Sequence, residues 1–183
     1  MTTPNATLRE ITDAITETLN MESARARDEA FAENLYSRAR TMRDRGFIRT
    51  AARTTQGREI VYSGADIAAA VVAITISLNG GSYGQISAIN GSLRKFDNTQ
   101  GIRAYEDNLP RILDGVPIYV RLDIVSHPWP VARARMGTLS EIELNDAFEW
   151  RDALGHLNII TESIILPVTA LVTRVFDVLR RVA

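Results

Sequence analysis

Apolar side chains recur every three or four residues along most of this chain and alternate with polar ones along one stretch, and two kinds of element follow from those periods. Leu8, Ile11, Ile15 and Leu19 form one stripe behind Thr7, whose hydroxyl can cap a helix with Glu10 three positions on, so a first helix is predicted over 8–19. Residues 1–5 carry no such pattern and are expected to be a mobile start. Asn20 to Ser23 reads as a turn, with Ser23 capping a further helical piece. Phe31, Leu35, Ala39 and Met42 share one narrow face of a helix over 31–45, and Gly46 stands at its stop with Arg43 and Arg45 in the last turn. A helix-turn-helix needs a break near Ala30; one continuous helix over 24–45 is the alternative.

After Gly46 the pattern shortens. Phe47-Ile48 and Glu59-Ile60-Val61-Tyr62 read as two short strands around a polar, arginine-bearing loop with Gly57 at its tip, which is the layout of a wing. Ser63 with Asp66 can cap the next helix, whose apolar face is Ile67, Val71, Ile74 and Leu78 and whose end is Asn79-Gly80-Gly81. A boundary near Gly80 would separate a winged helix-turn-helix DNA-binding domain over 1–80 from an α+β oligomerisation or effector domain over 81–183.

In the second half a helix over 84–96 and another over 102–114, interrupted by Pro110, precede a change of period. Ile118, Val120, Leu122 and Ile124 alternate with Tyr119, Arg121 and Asp123, and residues 131–136 return as a second strand after Ser126-His127-Pro128-Trp129-Pro130. Ser140 and Glu143 form a capping box for a helix running to Leu154. Ile159-Ile160 could belong to a strand, and Pro167 suits the first position of the last helix. Ile164, Val168, Leu171, Val175, Val178 and Val182 are spaced as a heptad seam, either an oligomer interface, with a dimer favoured, or a face buried in the chain's own core. The fold class is therefore α+β and predominantly helical: an N-terminal winged helix-turn-helix, then a helical region with a β-hairpin.

Charge sharpens the first half of that picture. Net charge is −1, yet residues 24–58 hold nine arginines against four acidic side chains, a local balance of plus five. A guanidinium fork can pair with a guanine edge or hold phosphate oxygens, so a helix so equipped can lie in a major groove of double-stranded DNA. Tyr36, Arg40 and Arg43 would then meet base edges while Arg38, Arg45, Arg53 and Arg58 take phosphates. Ser37, Thr41, Thr55 and Gln56 complete the candidate DNA contacts.

Arg53-Thr54-Thr55-Gln56-Gly57-Arg58, followed by Tyr62-Ser63 and Asp66-Ile67, resembles the wing and following helix of MerR-type regulators. Arg58 follows Gly57 directly where that family places one residue between them, and Thr41-Met42-Arg43 stands where the family has aromatic and acidic residues. The resemblance covers about residues 36–76 and implies a winged helix with DNA contact by Arg40, Arg53 and Arg58, and hence a transcriptional regulator of bacterial or phage origin. Small DNA-recognition subunits of phage packaging machines start with a similar helix-turn-helix, and an oligomeric packaging or assembly subunit is the alternative.

Other chemistry is thin. With no cysteine and only His127 and His156, thiolate chemistry is excluded and a zinc site would need carboxylates. Glu106-Asp107 and Glu141/Glu143 are simpler as helix-start residues than as catalytic pairs, and Gly80-Gly81-Ser82-Tyr83-Gly84 lacks the lysine of a phosphate loop. No enzyme, cofactor or metal is expected. The chain opens without a basic, apolar leader and has no long uncharged apolar run, so a cytoplasmic protein without a membrane partner is expected.

Overall fold

The computed structural model describes residues 3–20, 29–48, 59–94, 103–125, 131–143, 149–151 and 157–182. The chain is a mainly helical α+β protein with small antiparallel sheets. Strand β1 (Ala6–Thr7) runs straight into helix α1 (Leu8–Asn20). The capping box forms: the Thr7 N–H donates to Glu10 Oε2 at 2.7 Å, and the Glu10 N–H to Thr7 Oγ1 at 3.3 Å. The expected mobile start is packed from Thr3 onward, because Gly64 has no side chain and Thr3 and Leu109 lie where one would be.

Helix α2 (Glu29–Asp44) buries Leu35, Ala39 and Met42, as its spacing requires, with Phe31 half-buried beside them. Residues 21–28 lie outside the described ones, and with them the expected break or continuity before α2. The helix stops at Gly46, whose φ of 76° few other residues tolerate, and the Phe47 N–H closes the turn on the Met42 carbonyl at 2.8 Å. The expected first wing strand does not form. Phe47 and Ile48 make a bend, Ile48 is buried, and Asn90 Nδ2 donates to the Phe47 carbonyl at 2.8 Å. Strand β2 (Val61–Tyr62) pairs instead with β1, Ala6 opposite Tyr62 and Thr7 opposite Val61.

Helix α3 (Gly64–Leu78) is the centre of the molecule. Apolar on nearly every side, it packs against α1 and the later helices, which is where an all-round hydrophobic helix has to sit. Ser63 stands at its N-cap in extended backbone with no side-chain cap hydrogen bond from its own hydroxyl, and Asp66, three positions on, is buried. Helix α4 (Tyr83–Arg94) opens on a reciprocal Ser82–Gln85 box, and α5 (Arg103–Leu113) continues through Pro110. The expected interruption at Pro110 does not occur; Pro110 and Glu106, four residues before it, are both exposed.

The second sheet has the order β4-β3-β6-β5, all antiparallel, with β3 (Tyr119–Val125), β4 (Val131–Gly137), β5 (Glu149–Arg151) and β6 (Leu157–Pro167). Val120 and Leu122 point into the core beside Leu166 and Ala134. The β3–β4 hairpin is the expected one. Of the helix expected from Ser140 to Leu154 the described residues show α6 (Leu139–Glu143), capped by Thr138 and Glu141 at 2.7 Å, whereas residues 149–151 pair as a strand with 157–159.

Helix α7 (Val168–Val182) follows β6 without a loop, so Ile164 and Pro167 belong to the strand and the expected seam spans two elements. Its remaining members are used inside the chain: Val168, Val175 and Val178 are buried with Val172, Phe176 and Leu179, in a helix packed on α1, α3 and α5. Leu171 is half-buried, and Val182 is 75% exposed. One apolar cluster holds Ile11 and Ile67 together with Ile118 and Phe176, so buried packing runs across the boundary expected at Gly80.

Candidate nucleic-acid interface

The side of α2 that faces away from the core carries Ser37, Arg40 and Thr41, all exposed, with Arg38 exposed on a flank. Neither Arg38 nor Arg40 has a carboxylate partner among the described residues. Thr41 Oγ1 donates back to the Ser37 carbonyl at 3.1 Å.

The structure rearranges the other candidates on α2. Tyr36, expected at a base edge, is half-buried beneath the Arg9 guanidinium, 4.7 Å from the ring centroid. Arg9 in turn binds Glu33 at 2.7 Å and approaches Asp13 at 3.7 Å, tying α1 to α2. Arg43, also expected at a base edge, turns back on Asp44, with Nε at 2.9 Å and Nη2 at 2.8 Å from the same carboxylate oxygen. Its charge is already met. Arg45 is exposed and lies over Tyr83, 5.3 Å from its centroid, and Tyr83 stacks on Phe47 with centroids 4.9 Å and planes 2° apart. Arg53, Thr55, Gln56 and Arg58 lie outside the described residues.

Arg9 and Tyr83 were not among the sequence candidates, and no local pattern marks them: Arg9 meets Tyr36 from another helix, and Tyr83 meets Arg45 across the bend at Phe47. Among the remaining features, Glu106 and Asp107 are exposed at the start of α5. Glu141 caps α6 and pairs with Arg111 at 3.0 Å; the Thr138 N–H and Arg111 hold its carboxyl below the usual range. Gly80, at a φ of 83°, and Gly81 close α3, so the glycine run is a helix end. His127 and His156 lie outside the described residues.

Two further features lie away from the exposed side of α2. Asp123, on the side of β3 opposite the core, receives Arg121 Nε at 2.7 Å, Ser163 Oγ at 2.6 Å and Arg135 Nη2 at 3.2 Å. Between α1, α2, α3 and α7 lies an apolar cleft of ≈ 260 Å³, with Ile15, Phe31, Val71 and Leu171 in its walls and no charged residue among those lining it. Among the described residues no group of histidines and carboxylates could hold a metal ion, and no helix is long and apolar enough to cross a membrane.

No protein family and no curated protein matches the chain.

Proposed function

We propose that this chain binds double-stranded DNA through α2 and the arginine-rich segment after it, in the manner of a winged helix-turn-helix, and that it acts as a transcriptional regulator. The observation that carries this is the pair Arg38 and Arg40: exposed, without carboxylate partners among the described residues, on a helix whose other side is locked into the core. Charge of this kind on an otherwise acidic chain is what a phosphate backbone attracts. The β1–β2 ribbon anchors the chain at Tyr62, and buried Ile48 anchors it before Arg49, so the segment with Arg49, Arg53 and Arg58 lies between two buried side chains.

The test is duplex binding across a salt series. If six phosphates are engaged, log affinity falls against log salt with a slope of about −5. Replacing Arg38 and Arg40 together by Ala should weaken binding through both and flatten that slope by about one, the share of the phosphate contact assigned to Arg38. No affinity for any duplex at low salt, or an unchanged slope in the double variant, overturns the proposal. Solution mass separates the two readings: a dimer favours the regulator, and a large ring favours the packaging or assembly subunit.

A further inference from the structure

The stack of Arg45, Tyr83 and Phe47 joins the far end of α2 to the start of α4, and nothing in the core requires its outermost member. Arg45 is exposed, and no carboxylate pairs with it among the described residues. The ring beneath it is held firmly. Tyr83 lies parallel to Phe47; the Phe47 N–H is bonded to Met42 and its carbonyl to Asn90, both at 2.8 Å; and the Ser82–Gln85 box fixes the turn from which Tyr83 projects. An arginine waiting in solvent gives up rotamer freedom when it grips a phosphate, and one already laid on a fixed ring gives up less. Arg45 also follows Arg38 by seven residues, two helical turns, which puts both on one flank about 10 Å apart along the axis.

We propose that Tyr83 is a positioning residue: it holds the Arg45 guanidinium ready for a phosphate contact and makes the start of α4 part of the DNA-binding surface. This rests on the assignment of α2 as the DNA-contacting helix.

The experiment is fluorescence anisotropy of the full chain with a labelled mixed-sequence duplex, over a range of salt, for Tyr83→Leu, Tyr83→Phe, Arg45→Ala and the Tyr83→Leu/Arg45→Ala pair. Tyr83→Leu should weaken binding about two- to five-fold, the range of an exposed cation–ring contact, while Tyr83→Phe keeps the ring and the affinity. Arg45→Ala should lower the salt slope by about one, and the double variant should bind no worse than Arg45→Ala alone. Tyr83→pentafluorophenylalanine keeps the shape of the stack but removes the ring's negative face; it should weaken binding by the same about two- to five-fold, and it gives the readout should Tyr83→Leu not fold. Wild-type binding with indifference to the fluorinated ring, or additive losses in the double variant, overturns the positioning role alone. Absence of wild-type binding overturns the α2 assignment and this role with it.

Discussion

The Arg9 guanidinium covers the ring of Tyr36 at 4.7 Å while its Nη1 holds Glu33 at 2.7 Å, so one side chain of α1 grips two residues one turn apart on α2. If α2 contacts DNA as proposed, it has to be held at a fixed angle to the body behind it. Arg9 does that from the solvent side, and Leu35, Ala39 and Met42 do it from the core.

Arg9→Ala is therefore expected to change Tm only slightly, because exposed ion pairs contribute little. Duplex affinity should fall nonetheless, with the salt slope unchanged, since a positioning residue is lost and no phosphate contact is. Anisotropy titrations at two salt concentrations check this: a slope lowered by about one would make Arg9 a phosphate contact.

Gly81 sits against its own helix. A Cβ there would collide with the Ile76 side chain and stand 2.7 Å from the Ile76 carbonyl oxygen, which accepts the Gly81 N–H at 2.8 Å. Gly81→Ala should cost about 1–3 kcal/mol, the usual range for forced overpacking. Gly91→Ala meets nothing within 4 Å on an exposed helical position and should be neutral to stabilising. Urea denaturation of the two variants compares them directly.

Asp123 is 4% exposed. Burial alone would push its carboxyl up, but the hydrogen bonds from Ser163, Arg121 and Arg135 outweigh that and hold it below the ordinary carboxylate range. A pKa depressed on folding contributes stability above the unfolded value of about 3.9 and loses it as pH falls through the folded value. Acid should thus weaken the β4-β3-β6 sheet below about pH 4. Asp123→Asn removes the carboxylate that both arginines bind and should cost about 3–5 kcal/mol at neutral pH. It should also flatten the acid limb of a Tm-against-pH profile, and an unchanged limb would place the acid sensitivity elsewhere.

How far the sequence could be read depended on whether the deciding contact was local. Thr7 with Glu10, the stripe from Leu35 to Met42, Gly46 and the alternation from Ile118 to Ile124 each act within a few residues, and each predicted element formed. β2 did not find its expected partner, because Ala6–Thr7 lies far upstream and two residues of pattern cannot announce a pairing. The helix expected beyond Glu143 had helical spacing at Ile142, Leu144 and Phe148, but pairing of 149–151 with β6 overrode it. On α2, periodicity gave the stripe of Leu35, Ala39 and Met42 and so left Arg38 and Arg40 off it, where both are exposed; it could not show that Arg9 would cover Tyr36.

The apolar seam near the end of the chain poses the sharpest choice between a surface and a core. Ile164, Leu166 and Val168 alternate as a strand, Val168, Val172, Val175 and Val178 recur as a helix, and the two periods meet at Val168, so the seam read as one continuous helix face. If Val175, at 2% exposure, fills the chain's own core, then Val175→Asp should unfold the protein, since an unpaired charge cannot be buried there. Val182→Asp, at a position 75% exposed, should leave both Tm and solution mass unchanged. Thermal unfolding and light scattering decide between the roles: a Val175→Asp protein that stays folded but drops to a smaller assembly would assign the face to contact between copies.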